Sequence, residues 1–458
     1  MTPAARIAAA IEIVGDIEAR RRPAADALKD WGLSHRFAGS GDRAAIAGLV
    51  YDALRRRASS AYVMGGDNAR AIVLGMLRLE RGLDGDAIAA MFGNARYAPE
   101  ALSEGERAAL AAADLADAPA HVAGDYPEWL DPHLARVFGE DRREEGAALS
   151  SRAPLDLRVN TLKAEREQAA QAIADLKPEP ARWSPVGLRI RLAADAKNPA
   201  IHAEKAFIKG QIEIQDEGSQ LAALLAGGKP GEQVVDLCAG AGGKTLALAA
   251  AMENLGQIHA TDTDKRRLAP IHARLARSGA RNVQVIAPRR PPLIPSPASG
   301  GGLGRGQAAA AASSASDDVL ADLHGRIDLV LIDAPCTGTG AWRRNPDAKW
   351  RLRPGALEIR GREQTAALDR AVPLLKAAGR IAYVTCSVLE EENGAQVRAF
   401  LARHPQFSVE KPAALANGLG ERGYLFQRAV LLSEEGLLMT PRRTDTDGFF
   451  VSLLRRAA

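Results

Sequence analysis

The sequence predicts an α/β protein whose largest part is a doubly wound, mostly parallel sheet, preceded by an all-helical region and a small α+β module. From about residue 206 onward, apolar strand-like runs alternate with helical patterns, which is typical of repeated βα units. Residues 1–125 instead carry their apolar side chains at helical spacing. We therefore divide the chain into residues 1–125, 126–205 and 206–458.

Length and charge narrow the class of protein. With 458 residues the chain is too long for one ordinary domain. Its 60 Lys and Arg against 56 Asp and Glu leave a net charge of only +4, so any nucleic-acid contact must come from local patches. No apolar run approaches the roughly 20 residues of a membrane span, and we expect a cytoplasmic monomer.

The first region reads as a helical bundle with basic helix ends. Apolar residues over Ile7–Ile17 predict a helix that ends at Arg20–Arg22. Asp42 is expected to cap a second helix that ends at Arg55–Arg57, and Asp86 to start a later one. The two arginine clusters leave open whether the region is a scaffold or an RNA-binding module.

The second region is predicted to be a small α+β module that serves as an adapter or binds RNA. Leu155–Val159 predicts a strand, Arg166–Leu176 a helix, and Leu188–Leu192 a half-exposed strand because apolar and cationic residues alternate. Cations on such a strand could contact phosphates.

The third region carries the predicted sheet. Continuous or β-branched apolar runs predict strands at Val234–Leu237, Gln257–Thr261, Val283–Ile286, Leu329–Ile332, Arg380–Val384 and Phe449–Leu453. Helical patterns lie between them, from Thr245, over Arg266–Ser278 and around Glu358–Ala377. Pro288–Ser316 is rich in Pro, Gly, Ser and Ala and predicts a disordered insertion, because it cannot bury enough apolar area to offset its ordering entropy.

Asp328–Trp350 is the most informative stretch. Its apolar run suits a strand buried on both faces, and Pro335 should end that strand. Asp333 and Cys336 then fall at the carboxyl end, where open α/β sheets bind their ligands. Cations interleaved with aromatics follow and suggest a nucleic-acid contact: Trp342, Arg343, Arg344, Lys349, Trp350, Arg351 and Arg353.

The glycine-rich loop Cys238–Thr245 admits three interpretations. A phosphate-binding P-loop fits Gly243-Lys244-Thr245 but finds Cys238 where a glycine is needed. A dinucleotide fingerprint lacks its third glycine. An S-adenosylmethionine site needs only a close backbone approach and a carboxylate for ribose hydroxyls, for which Asp262 lies at the next strand's end. The third interpretation is favoured.

The chain has three cysteines, Cys238, Cys336 and Cys386, without disulfide or zinc spacing. Cys336 and Cys386 each follow a predicted strand. The C5 atom of a pyrimidine becomes nucleophilic only after a thiolate adds to C6, and a second thiol could assist the later elimination. The pair therefore predicts methylation at a pyrimidine C5, with either cysteine as the nucleophile.

Three motifs in this order resemble the Sun/RsmB-type RNA (cytosine-5) methyltransferases: DLCAGAGGKT (236–245), LIDAPCTGTG (331–340) and YVTCSVLEEEN (383–393). FIKGQIEIQDEGSQ (207–220) and the ending DGFFVSLL are also similar to this family. The N-terminal helices resemble the NusB-like RNA-binding domain of bacterial members that modify small-subunit rRNA.

The resemblance implies a Rossmann-like methyltransferase sheet with S-adenosylmethionine as cofactor, no metal, and RNA, most directly rRNA, as partner. It implies Cys386 as the nucleophile and Cys336 as the residue that aids product release. Asp333 would lie close to cofactor and base. The residues implied to hold the cofactor are Cys238, Ala239, Gly240, Ala241, Gly242, Gly243, Lys244 and Asp262.

One departure and several alternatives stay open. The family usually has a further cofactor-contacting carboxylate after the third strand, where this chain has its insertion, and Asp317, Asp318 or Asp322 could replace it. The same reaction on tRNA or another RNA is an alternative, as is Cys336 as nucleophile, the arrangement of DNA cytosine methyltransferases. From another class, a P-loop NTPase acting on RNA is the alternative.

Overall fold

The computed structural model describes residues 1–93, 96–192, 199–288 and 319–458, so all but the first residue of the predicted insertion 288–316 lies outside the described residues. Within this described part, no helix is long and apolar enough to cross a membrane. The N-terminal region is helical: α1 (Pro3–Arg20), α2 (Ala24–Ser34), α3 (Ser40–Arg55), α4 (Arg57–Met64), α5 (Ala69–Leu79), α6 (Gly85–Ala90), α7 (Glu104–Ala111) and α8 (Ala120–Ala123).

This bundle forms because α1, α3 and α5 bury their apolar faces against one another. The caps differ from the prediction. Asp42 does not cap α3 but lies in its first turn, where it accepts hydrogen bonds from the N-terminal ammonium at 3.1 Å and from Arg6 at 2.9 Å. Asp84, rather than Asp86, caps α6 by accepting from Ala87 N–H at 2.8 Å.

The second region forms a small α+β module, but its last strand, Ile212–Ile214, lies beyond the predicted boundary at residue 205 because it pairs with Leu155–Val159. Its elements are α9 (Asp131–Phe138), α10 (Arg142–Ser150), β1 (Leu155–Val159), α11 (Arg166–Ala172), β2 (Glu179–Pro180), β3 (Gly187–Ile190), α12 (Lys205–Ile208) and β4 (Ile212–Ile214). The strands pair antiparallel in the order β2-β3-β1-β4. The predicted half-exposed strand is wrong, because β3 is buried along its length and its Arg189 binds Asp156 at 2.7 Å.

The third region contains the main sheet. Its strands are β5 (Gln233–Asp236), β6 (Gln257–Thr261), β7 (Val283–Ile286), β8 (Ile327–Asp333), β9 (Leu375–Thr385), β10 (Phe407–Val409), β11 (Leu431–Leu432), β12 (Leu437–Met439) and β13 (Phe449–Arg456). Its helices are α13 (Glu217–Ala226), α14 (Gly243–Ala251), α15 (Lys265–Leu268), α16 (Ile271–Ser278), α17 (Pro346–Arg351), α18 (Pro354–Ala371), α19 (Gly394–Arg403), α20 (Pro412–Leu415), α21 (Gly423–Ala429) and α22 (Pro441–Thr444).

The sheet order is β11-β12-β13-β9-β8-β5-β6-β7, with β10 beside β13. The strands from β9 to β7 are parallel, and β13 pairs antiparallel with β9. The prediction of a mostly parallel sheet is confirmed. Two helix predictions need correction: Pro270 separates α15 from α16 because it lacks an N–H for the helix, and α18 ends at Ala371 rather than near Ala377.

The position of β8 in the middle of the sheet explains why its sequence is continuously apolar. Val330 and Ile332 pack into the cluster on one face of the sheet, whereas Leu329 and Leu331 pack into the cluster on the other. All four side chains are fully buried. A strand covered by helices on both faces has no solvated side and therefore no polar alternation.

The basic and aromatic segment after β8 is partly internal, so Arg343 and Lys349 cannot form the predicted nucleic-acid contact, whereas Arg351 and Arg353 are exposed. Arg343 is 1% exposed and donates to Asp447 at 2.6 Å. Lys349 is fully buried and donates to the Arg55 carbonyl at 3.1 Å and to Ser150 Oγ at 2.7 Å. These cations join the helical bundle and the α+β module to the main sheet.

The arginines at the end of α3 lie in the same junction. Arg55 donates to the Arg343 carbonyl at 3.0 Å, Arg56 to Glu80 at 2.7 Å and Arg57 to Glu18 at 2.6 Å. The other cluster differs, because the side chain of Arg20 is 69% exposed although it pairs with Asp16. Of the two predicted RNA-facing clusters, Arg55–Arg57 is therefore internal.

Candidate active site

The predicted site residues gather at the carboxyl ends of β5, β6, β8 and β9. β8 and β9 are parallel neighbours with Asp333 opposite Val384, so the segments that follow them leave the sheet side by side. β5 and β6 also pair in parallel, with Asp236 opposite Ala260. This is the edge at which open α/β sheets bind ligands.

The two cysteines that follow β8 and β9 form a pair. The sulfur atoms of Cys336 and Cys386 lie 3.3 Å apart, and both residues are partly buried. Backbone bonds fix the two loops against each other, because Gly340 N–H donates to the Cys386 carbonyl at 3.0 Å. Gly340 also packs against Gly448, and a Cβ on Gly340 would lie 2.1 Å from the Gly448 carbonyl oxygen. A glycine is therefore required at position 340, where the loop packs directly against the DGFF segment, residues 447–450.

The surroundings favour a protonated Cys336. Its hydrogen bond with Cys386, together with burial and the nearby carboxylate of Glu392, raises the pKa of the Cys336 thiol well above its ordinary value. A protonated Cys336 is able to donate to the sulfur of Cys386, and either sulfur can be the donor at this distance.

The glycine loop Cys238–Gly242 connects β5 to α14 in a conformation that side chains would prevent. Gly242 has φ +83°, and a Cβ there would lie 2.5 Å from Ile271. Gly240, at φ +49°, donates its N–H to Asp262 at 3.0 Å. Asp262 directly follows β6 and is buried, as the sequence predicted for a carboxylate beside the loop.

Carboxylates surround this loop. Burial and the negative charges of Asp236, Asp333 and Asp262 raise the pKa of Cys238. Lys244, in the first turn of α14, forms an ion pair with Asp333 at 2.8 Å. The lysine is thereby neutralised.

These charges discriminate between the possible ligands. A triphosphate would meet the carboxylates without a free lysine, whereas a P-loop needs that lysine for its phosphates. S-adenosylmethionine carries a cationic sulfonium and hydroxyls that carboxylates can stabilise. The residues present, from Cys238 to Lys244 with Asp262 and Asp333, therefore fit S-adenosylmethionine, and the NTPase alternative has no support. Among the described residues, no group of three or more His, Cys, Asp or Glu side chains is arranged to hold a metal.

Of the candidates for the further carboxylate, Asp322 is the one within the described residues, and it does not reach the site. Asp322 lies in the 3-10 turn Ala321–Leu323, just before β8 begins. That turn is tied to the start of β9, since Arg326 N–H donates to the Leu374 carbonyl at 3.1 Å. Asp322 therefore lies near the amino ends of the parallel strands, whereas the site lies at their carboxyl ends. Asp317 and Asp318 lie outside the described residues.

The structure adds residues that the sequence interpretation missed. Asp236 is fully buried below the loop and accepts a hydrogen bond from the Thr245 hydroxyl at 2.7 Å. Glu392 and Asn393 lie behind the two thiols and are buried. Glu392 and Asn393 belong to the motif YVTCSVLEEEN, but no local sequence pattern indicated which residues their side chains contact.

Comparison with known families identifies the chain's relatives. A family model described as 16S rRNA methyltransferase RsmB/F matches residues 223–290 and 303–455. A second model, described as the ferredoxin-like domain of RsmF/B-like methyltransferases, matches residues 126–197. Together the matches cover more than half of the chain.

Individual proteins agree with these models. The probable ribosomal RNA small subunit methyltransferase B of Synechocystis sp. is 29% identical over 72% of this chain and 67% of its own length. The ribosomal RNA small subunit methyltransferase B of Shigella sonnei is 31% identical over 61% of this chain, which spans only 58% of that relative. The crystal structure of PH0851 has a TM-score of 0.65 at 23% identity, covering 100% of this chain and 99% of its own, and it supports the fold alone. The predicted Rossmann-like methyltransferase fold is confirmed, and the chain belongs to the 16S rRNA methyltransferase RsmB/F family.

Proposed function

We propose that this protein methylates C5 of a cytosine in small-subunit rRNA, through a covalent bond between Cys386 and C6 of the base. The observation that carries the proposal is the thiol pair, with its sulfurs 3.3 Å apart beside a glycine loop suited to S-adenosylmethionine. The family membership and the names of the relatives, which specify small-subunit rRNA, support this substrate. tRNA or another RNA is the alternative substrate for the same chemistry.

The residues divide the reaction between them. The Cys386 thiolate forms a bond to C6, and the electron pair of the C5–C6 double bond moves to C5 as an enamine. S-adenosylmethionine, when bound, supplies the methyl group that C5 accepts. The C5 proton then leaves to a general base, the double bond re-forms, and the C6–sulfur bond breaks to return the electron pair to Cys386.

Cys336 and Asp333 assist this sequence. Cys336 is a neutral thiol in contact with Cys386, so we assign it to stabilising the leaving sulfur during elimination. Asp333 is partly exposed and held by Lys244, and we assign it to orienting the base at the cofactor side. Since a single chain supplies all of these groups, a monomer is sufficient.

We infer further that the helical region, residues 1–125, supports the active sheet and contributes to RNA binding through its exposed face. Its support role rests on Lys349 and Arg55, which join the two regions. For RNA, the exposed Arg20 and Arg21 at the end of α1 are candidate contacts, together with other exposed cations of this region such as Lys29 and Arg36. An rRNA substrate would place the protein in the cytoplasm.

The decisive experiment is transcriptome-wide mapping of 5-methylcytosine in cells with and without this protein. We expect one small-subunit rRNA position to lose its methyl group when the protein is absent. Dependence of a tRNA position instead would transfer the same chemistry to the alternative substrate. If no cytosine in any RNA depends on the protein, the proposal is wrong.

Ligand-dependent melting separates the enzyme classes without RNA. S-adenosylhomocysteine should raise the melting temperature because it binds only the native state. At one hundred times its dissociation constant it should add about 2.7 kcal/mol to the free energy of unfolding. ATP with magnesium should leave it unchanged. The reverse result would restore the NTPase interpretation.

A further inference from the structure

Two consecutive residues behind the thiol pair contact both of its loops. Glu392 ends the 3-10 turn Glu390–Glu392 that follows β9, and Asn393 comes next. Glu392 is fully buried and Asn393 is 3% exposed. Buried polar side chains of this kind need hydrogen-bond partners, and the partners of these two flank the two cysteines.

The Glu392 side chain holds the Cys336 loop. Its carboxylate accepts from the backbone N–H of Thr337 at 2.8 Å and also from the Thr337 hydroxyl. Gln364 of α18 donates to the same carboxylate at 3.0 Å and to the Pro335 carbonyl at 2.9 Å. The residues immediately before and after Cys336 are therefore tied, directly or through Gln364, to one buried carboxylate.

The Asn393 side chain holds the Cys386 loop. Its Oδ1 accepts from the Thr385 hydroxyl at 2.6 Å, and its Nδ2 donates to the Ser387 carbonyl at 2.9 Å. Thr385 and Ser387 are the two neighbours of Cys386. The dipeptide is itself anchored to β9, because the Tyr383 hydroxyl donates to the Glu392 carbonyl at 2.7 Å.

We propose that Glu392 and Asn393 are positioning residues that set the separation of the two sulfurs, Glu392 for Cys336 and Asn393 for Cys386. Neither touches the reacting atoms. Because each side chain controls one loop, Glu392 governs release of the adduct and Asn393 governs its formation. The assignment rests on the proposed function only in the second part, since the geometry of the thiol pair can be measured without RNA.

The first test therefore uses the thiols alone. Diamide oxidises two thiols to a disulfide, taking up two electrons and two protons to become its hydrazine, and the rate depends on whether the sulfurs can approach bonding distance. Glu392→Ala removes the carboxylate that accepts from both Thr337 and Gln364, so the Cys336 loop loses this anchor. We expect the Cys336–Cys386 disulfide, measured by peptide mass mapping, to form at least about fivefold more slowly than in the wild type, since loss of alignment slows reactions between held groups.

The matched control is Glu391→Ala. Glu391 is the adjacent acid, but it binds His133 at 2.7 Å and Arg136 instead of the thiol loops. This variant should oxidise at the wild-type rate. Thr337→Val, which removes the hydroxyl from the other end of the Glu392 contact, should share the slower oxidation.

The second test uses RNA and separates the two residues. Glu392→Ala should accumulate a protein–RNA adduct on denaturing gels, as expected for impaired release. Asn393→Asp should instead methylate RNA more slowly without accumulating adduct, because its carboxylate repels the Ser387 carbonyl. Both variants should bind S-adenosylhomocysteine with wild-type affinity. A wild-type oxidation rate in Glu392→Ala would overturn the inference, as would a loss of melting temperature and of cofactor affinity large enough to explain both phenotypes. Slowed oxidation in Glu392→Ala with no adduct in any variant, Cys336→Ala included, would instead contradict the proposed function.

Discussion

At the scale of single residues, the two thiols differ in their neighbours more than in their position. Cys336 lies beside the buried carboxylate of Glu392, which disfavours a second negative charge there. Cys386 is flanked by the hydroxyl groups of Thr385 and Ser387, both fully buried. This asymmetry supports Cys386 as the nucleophile, which sheet position alone does not distinguish.

Alanine substitutions of the two cysteines should therefore fail differently. Cys386→Ala should form no adduct and transfer no methyl group, because the atom that attacks C6 is gone. Cys336→Ala should attack and methylate but release slowly, leaving an RNA-linked band of reduced mobility on denaturing gels. Exchanged phenotypes would make Cys336 the nucleophile, and full methylation by both variants would exclude the thiol mechanism.

Asp236 should give the protein's stability a measurable pH dependence. Burial raises the pKa of Asp236 to about 7 from an ordinary value of 3.8, and the charge of Asp333 adds to the effect. Between these values the native state holds a proton that the unfolded chain has released, so the contribution of Asp236 to the free energy of unfolding falls as pH rises toward 7.

Asp236→Asn, which cannot ionise, should remove this dependence. Relative to the wild type, the variant should gain stability between pH 4 and pH 8, by about 1–3 kcal/mol after the cost of an imperfectly bonded amide. Urea unfolding at several pH values measures the difference. A difference that does not vary with pH would show that Asp236 is ionised throughout.

At the scale of elements, the segment Trp342–Arg351, which contains α17, acts as a structural connection. Arg343 and Arg344 both bind Asp447 at 2.6 Å and also contact Asp216. They thereby fasten this segment to the start of α13 and to the DGFF segment before β13. The carboxylate side chains of Asp216 and Asp447, which are both buried, depend on these arginines for neutralisation.

Arg343→Met should lower the free energy of unfolding by about 3 kcal/mol, because it leaves the buried carboxylates of Asp216 and Asp447 with Arg344 as their remaining cationic partner. Arg351→Met is the control in the same segment, since Arg351 is 39% exposed and pairs with Asp347 one turn away. Its effect should stay below about 1 kcal/mol. Urea unfolding measures both, and equal effects would contradict the structural role of Arg343.

At the scale of the whole molecule, the helical bundle is joined to the sheet by buried contacts. Trp350 donates its indole N–H to the Leu54 carbonyl at 2.7 Å, and Asp347 accepts from Ala24 N–H at 3.2 Å. Lys349 lies between them without exposure to solvent. These contacts make the two regions stabilise each other.

A chain that begins at Tyr126 should therefore be less stable than the full protein, and not merely weaker in RNA binding. Exposing Lys349 and Trp350 leaves polar groups without their partners, and we expect the melting temperature to fall by roughly 5–10 °C. Circular dichroism melting checks this, with S-adenosylhomocysteine binding as the control for the site. An unchanged melting temperature would make residues 1–125 an independent module.

The sequence by itself determined the sheet, its central strand and the edge at which the site forms. A run such as Leu329–Ile332 can only be buried on both faces, and motifs that follow parallel strands must meet at one edge. Cys336, Cys386 and Asp262 were therefore predictable as neighbours of the site.

Only the tertiary structure decided what the charged side chains do. Arg343, Lys349 and Arg55 look like an RNA surface in sequence, but their partners lie 100 or more residues away, where no local pattern can reveal them. The same holds for Glu392, whose contact with Thr337 spans 55 residues. Local periodicity specifies strands and helices, whereas burial of a charge depends on which distant groups the fold brings to it.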